Sequence, residues 1–154
     1  AKAVAFQEAL QPSFKKYAEQ ILKNASRLAE ELKKRGFVLI SGGTSNHLIL
    51  ADVKESFDID GKQAEEALDK IGLNLNKNSV ADDPLPPFRP SGIRLGTPAI
   101  TTRGLTPDHM QQIADWMLAA IQNRDNDAKL QELRQEVRAF ALKFPLPSDD
   151  VKKA

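Results

Sequence analysis

The sequence predicts an α/β domain of the two-layer α+β kind, a small, mostly antiparallel sheet covered on one face by helices. Three observations carry this. Apolar residues recur every three or four positions up to Leu32, and then the period shortens after Gly36. Two short apolar runs follow, joined by a connection too brief for a crossover helix, so they pair as neighbours. Helical periodicity returns in three further stretches, enough to cover one face of such a sheet. With 154 residues the chain has the length of one ordinary domain, and 28% charged residues place it among soluble globular chains.

The elements follow in order. Ala3, Ala5, Phe6, Ala9 and Leu10 form an opening helical stretch that Pro12 interrupts. It starts at Ala1 already inside a periodic pattern, which reads as the continuation of something longer. From Ser13 a second helix carries Phe14, Ala18, Ile21, Ala25, Leu28 and Leu32 in one seam; Lys33, Lys34 and Arg35 suit its last turn and Gly36 stops it. Phe37-Val38-Leu39-Ile40 and His47 to Val53 are strands, separated by the hairpin-like Ser41-Gly42-Gly43-Thr44-Ser45-Asn46. Asp60 and Gln63 form a capping box for a helix bearing Ala64, Ala67, Leu68 and Ile71, which Gly72 ends. Leu73 and Leu75 alternate with Asn74 and Asn76 as a half-buried strand. A long proline-bearing loop then runs from Asn78 to Gly92, and Ile93-Arg94-Leu95 forms a last strand. Thr106-Pro107 launches a helix with Ile113, Ala114, Met117, Ala120 and Ile121. The final helix carries Leu130, Leu133, Val137, Phe140 and Phe144 and ends at Pro145 and Pro147.

Composition excludes several functions. With no cysteine there is no disulfide framework, thiolate zinc site or cysteine nucleophile. A formal charge of +1 gives no reason to expect nucleic acid or an anionic membrane as partner. No apolar run approaches a bilayer span and no signal peptide is visible, so a cytoplasmic location is expected. His47 reads as a hydrogen-bonded structural residue and His109 as a solvated one. Gly42-Gly43-Thr44 lacks the spacing of a nucleotide fingerprint. The chemistry-bearing stretch is Asn76 to Gly104. Small residues and prolines flank Arg94, so its guanidinium could meet a carboxylate in bidentate fashion. On residue chemistry alone an ordinary ion pair with an internal Asp or Glu leads. Asn78 and Phe88 could read a polar ligand edge and close a pocket, against a turn-forming Asn and a loop-pinning Phe.

Ser41-Gly42-Gly43-Thr44 with Asn46-His47-Leu48, Asn76-Lys77-Asn78-Ser79-Val80, and Ser91-Gly92-Ile93-Arg94 with Gly96-Thr97-Pro98-Ala99-Ile100-Thr101 and Arg103-Gly104 resemble the C-terminal third of serine hydroxymethyltransferases. The opening Lys2 to Phe6 and the helix from Lys15 to Ala25 resemble that family's stretch between two domains. The resemblance implies the small domain of a pyridoxal-phosphate enzyme of fold type I, in the aminotransferase-like superfamily. Residues 1–36 would be the inter-domain helical segment and 37–154 the C-terminal small domain. The family moves a hydroxymethyl group between serine and tetrahydrofolate, giving glycine and methylene-tetrahydrofolate, with the cofactor as electron sink. Carried over, Arg94 would bind the substrate carboxylate, which reverses the earlier preference. Asn78, Pro86, Pro87 and Phe88 would contact folate, and Arg103 would give electrostatic support. Ala81 stands where the family usually has proline, and Pro86 where serine is common. The family's cofactor lysine is absent from this chain, so the chain alone is expected to be inactive. Its expected partners are the enzyme's large domain and the other subunits of a homodimer or homotetramer. Two alternatives are a free-standing folate- or partner-binding module without catalysis and a related enzyme acting on another β-hydroxy amino acid without folate. The folate-type loop from Asn78 to Phe88 argues against the second.

Overall fold

A computed structural model describes residues 1–146; Pro147 and the end of the expected domain lie outside the described residues. Helix α1 (Lys2–Ala9) and the long α2 (Pro12–Lys34) lead into strand β1 (Val38–Leu39), then β2 (Leu48–Asp52). Two helices follow, α3 (Val53–Phe57) and α4 (Gly61–Ile71), then β3 (Asn76–Asn78) and β4 (Gly92–Gly96). Helices α5 (Pro98–Thr102), α6 (Met110–Gln122) and α7 (Asp127–Ala141) complete the order. The sheet order is β1-β2-β4-β3, and every neighbouring pair is antiparallel.

The α+β reading holds. In register, Leu39 faces Ala51, Ala51 faces Ile93 and Ile49 faces Leu95, so these share one side of the sheet. Leu39, Ile49, Ala51 and Ile93 are buried there against Leu28 and Leu32 of α2, Leu68 of α4 and Met117 of α6. Leu130, Leu133 and Val137 of α7 close the same core. Only the second half of the α2 seam is interior: Ala25, Leu28 and Leu32 are buried, whereas Phe14 is exposed. A buried amide joins α2 to α5, with Asn24 donating to Thr101 Oγ1 (2.8 Å) and Leu105 O (2.9 Å). Glu31, nearly buried, meets Lys34 at 2.7 Å and Arg35 at 2.6 Å, and Arg35 reaches on to Asp115 of α6.

Several boundaries differ from the sequence expectation. The strand from His47 stops at Asp52, because the Asp52 carboxylate accepts the Glu55 N–H and opens α3. The strand expected over Leu73 to Asn76 forms later, at Asn76–Asn78, where β4 supplies a partner; Leu73 and Leu75 pack against the core ahead of it. Helix α6 starts with a single 3₁₀ turn at Pro107–His109. His109 is not a solvated residue: its Nδ1 accepts the Thr106 N–H at 2.9 Å, and its ring packs edge-on against Phe140 and Phe144. His47 is exposed, and its ring has no hydrogen-bond partner among the described residues, so it is not the bonded histidine expected.

Candidate functional site

Among the described residues, no helix covers the opposite side of the sheet. Alternation places Gly92, Arg94 and Gly96 of β4 on this face, because Ile93 and Leu95 point into the helical layer. Arg94 therefore rises between two glycines, with no side chain beside it along its own strand. Across the ladder it stands between Leu50 of β2 and Asn76 of β3. It is exposed, and among the described residues it makes no hydrogen bond or ion pair. The internal carboxylate partner that residue chemistry favoured is not found among the described residues.

Beside Arg94 lies an open depression walled by Ile40 to Asn46, with Leu48 and Leu50. This connection joins the antiparallel β1 and β2 as the expected hairpin, and it is a built turn. Ser41 has φ 61°, a left-handed conformation that side chains seldom adopt. Thr44 Oγ1 donates to Leu48 O at 2.6 Å, and Asn46 Oδ1 accepts the Leu48 N–H at 2.7 Å. Lys33 Nζ, from the end of α2, holds Gly42 O at 3.0 Å.

One register step along the open face, Asn78 pairs with Gly92. Its Nδ2 bonds only its neighbour's carbonyl, Ser79 O, at 2.7 Å. The loop that follows is organised by Asp83, whose carboxylate accepts from Val80 N, Leu85 N, Ser91 N and Ser91 Oγ. Burial pushes the Asp83 carboxyl up, but these four donors outweigh it and bring it down to about 2. The far end of the loop docks on α3 and α4. Ser91 O accepts the Val53 and Lys54 N–H groups, and Gly61 N–H donates to Pro90 O at 2.6 Å. Asp60 Oδ2 takes both Nε (2.6 Å) and Nη2 (2.5 Å) of Arg89. No side chain fits at this junction: a Cβ on Gly61 would stand 2.2 Å from Gly92 O, and one on Gly92 would stand 2.7 Å from Asn78 O.

The predicted folate residues thus fall in two groups. Asn78 shares the open sheet face with Arg94. Pro86 and Phe88 line a groove against Lys54, Asp58 and Gln63 at the α3–α4 corner, and Pro87 is exposed between them. Phe88 is 70% exposed. Arg103 lies on the helical side, where Nε donates to Phe144 O (2.8 Å) and Nη2 to Ala141 O (2.6 Å), capping the end of α7. Sequence reading missed Asp83, the Asp60–Arg89 pair and Asn24. The Asp83-Pro84 dipeptide and a lone Asn inside the α2 seam were the available signals.

The order of these motifs along the chain is matched in known proteins. The family model described as Serine hydroxymethyltransferase matches residues 1–117. The chain belongs to the serine hydroxymethyltransferase family. A curated serine hydroxymethyltransferase from Acidobacterium capsulatum is 51% identical over 146 residues, covering 95% of this chain. The chain spans 34% of that relative's length. The matched region contains the whole sheet, Arg94 and the Asp83 loop.

The cofactor that the family resemblance implies finds no fitting amine among the described residues. A lysine that condenses with a carbonyl needs a desolvated, lowered pKa. None of the described lysines is buried. Lys70, Lys77 and Lys129 shift the other way, each raised by hydrogen bonding to a carboxylate partner. The described residues also hold no cluster of three or more metal-ligating side chains, and no described helix is long and apolar enough to cross a membrane.

Proposed function

We propose that this chain is the C-terminal domain of a serine hydroxymethyltransferase and works as part of a longer chain. Arg94 binds the carboxylate of serine or glycine, and Asn78 with Pro86, Pro87 and Phe88 forms one wall of the pocket for tetrahydrofolate. The reaction converts serine and tetrahydrofolate to glycine, methylene-tetrahydrofolate and water. Pyridoxal phosphate would supply the electron sink for it and would be held mainly by the enzyme's large domain. The observation that carries the reading is the Arg94 guanidinium, which stands between two glycines on a sheet face that, among the described residues, no helix covers and where it has no partner. A planar fork with open flanks matches a carboxylate in two parallel hydrogen bonds.

The remainder of the chain would cover that face. Val4, Phe6, Leu10, Phe14 and Leu22 are exposed along α1 and the first turns of α2, and suit contact with the large domain or a second subunit of a homodimer or homotetramer. A cytoplasmic setting accords with cysteine-free composition. In the full-length holoenzyme, Arg94→Ala should weaken serine and glycine binding about 100-fold, with Arg94→Lys between the two. Near-normal affinity would sink the assignment. A second reading, a free-standing binding module without catalysis, draws on the lack of a fitting lysine. Titrating this chain alone with pyridoxal phosphate and then glycine addresses the question of completeness. A saturable one-to-one species that changes absorbance band would mean that one of this chain's own lysines has taken the cofactor.

A further inference from the structure

The loop from Ser79 to Ser91 has no regular secondary structure, yet its course is fixed at both ends by one carboxylate. Asp83 Oδ2 accepts Val80 N at 3.2 Å and Ser91 N at 2.9 Å, and Oδ1 accepts Leu85 N at 2.9 Å and Ser91 Oγ at 2.7 Å. All four partners act as donors, so only an ionised carboxylate satisfies them together. Ser91 is fully buried and is tied through its carbonyl to the first turn of α3. Val80 is two residues from Asn78, and Leu85 opens the Pro86–Phe88 run. Asp83 therefore couples the two groups of candidate folate residues to each other and to β4, which carries Arg94.

We propose that Asp83 is a positioning residue for folate recognition: it touches no substrate, and holds Asn78 and Phe88 at the separation the pterin-bearing co-substrate requires. The proposal rests on the assignment of those residues to the folate pocket and adds the group that sets their geometry. Phe88, 70% exposed, has little packing of its own to hold it. The Asp60–Arg89 pair fixes the adjacent residue but does not reach the Asn78 end of the loop.

The test is Asp83→Asn in the full-length holoenzyme. An amide of the same shape puts an NH2 where an oxygen accepted, and so opposes at least one backbone N–H. The expected result is a rise of about tenfold in KM for tetrahydrofolate, with kcat at saturating folate within about threefold and the Kd for glycine within about twofold. A folate KM within about twofold of the parent would overturn the proposal. So would a parallel loss of glycine affinity and kcat, which marks a general structural role. If Asp83→Asn does not fold, Ser91→Ala removes one of the four donors from Asp83; an increase of about threefold in folate KM is expected, and no change overturns the proposal. Asn78→Ala and Phe88→Ala run in parallel. If both leave folate KM unchanged, the folate assignment itself fails and takes this inference with it. If both raise it while Asp83→Asn does not, only the positioning role fails.

Discussion

On the helix-covered side of the sheet, charged and amide side chains have partners within the chain; on the open side, Arg94 has none among the described residues. Lys77, whose register places it on the covered side, reaches Glu65 of α4 at 2.7 Å. Arg103 spends its donors on the last carbonyls of α7, and Asn24 bridges α2 to α5. Among the described residues no buried side-chain nitrogen or oxygen is without a hydrogen bond. Arg94 lies only nine positions from Arg103 in the same motif, yet the strand turns it to the other face. There, solvent satisfies it at no cost in this chain. Were more protein to cover the face, the same guanidinium would have to leave water, at a cost of several kcal/mol unless an anion met it. The contrast separates groups that complete the fold from one that the fold leaves exposed and without a partner among the described residues.

The sharpest way to break this comparison is to mutate adjacent residues on opposite faces. Ile93→Ala should cost about 2–5 kcal/mol of stability, because a fully buried branched side chain leaves a cavity between β4 and the helices. Arg94→Ala should change stability by no more than about 0.5 kcal/mol, as for other exposed sites. Thermal denaturation compares them directly. An equal loss from Arg94→Ala would mean the open face carries folding energy too. Next in size, Asn24→Ala should cost about 1–3 kcal/mol by leaving the Thr101 hydroxyl and the Leu105 carbonyl short of a donor. Gly92→Ala tests the seam between the two sides. A Cβ there would stand 2.7 Å from Asn78 O and 2.9 Å from Val80 Cγ1, so about 1–3 kcal/mol of overpacking is expected, together with loss of β3 pairing. Amide exchange at Asn76 and Asn78 would register that loss, and unchanged protection there would count against it.

Local chemistry decided what could be read from the sequence. The Asp60–Gln63 capping box and the α6 and α7 stripes rest on residues three or four positions apart, and the β1–β2 pairing on two apolar runs joined by a short connection. Arg94 was legible for the same reason, since its two flanking glycines lie on its own strand. Helix α5 was missed although Thr97-Pro98 repeats the Thr106-Pro107 pattern, because its short Ala-Ile-Thr-Thr run has no apolar stripe. Helix α7 stops at Ala141, ahead of Pro145, where Arg103 caps its carbonyls from 38 positions away in sequence. The loop was harder still. Asp83 meets Ser91 across eight positions and Asp60 meets Arg89 across 29, and neither spacing has a periodic signature. That Arg94 lacks a partner among the described residues also required the fold, because composition offered 21 acidic residues as candidates.

The smallest effect, in acid, separates the loop from the helical layer. Lys34 and Arg35 hydrogen bonds hold the Glu31 carboxyl at about 2, below its ordinary 4.5, and the Asp83 carboxyl is likewise held at about 2 against 3.8. Both folded values lie below the unfolded ones, so each group's contribution is complete above the ordinary carboxylate range and is lost as pH falls toward about 2. The two losses should nevertheless appear in different places. Glu31 ties α2 to itself and, through Arg35 and Asp115, to α6, so its protonation lowers the melting temperature of the whole domain. Protonated Asp83 still has acceptor capacity but gains a donor among donors, and its three backbone partners lie in one loop. Protection factors at the Val80, Leu85 and Ser91 amides should therefore fall between about pH 4 and pH 2 ahead of those in β2 and α6. Glu31→Gln should flatten the acid slope of the melting temperature while leaving the loop's loss of protection intact. If loop and core amides lose protection together in the parent and in Glu31→Gln alike, the loop is part of the same cooperative unit as the helices, and the independence of the two sides of the sheet fails.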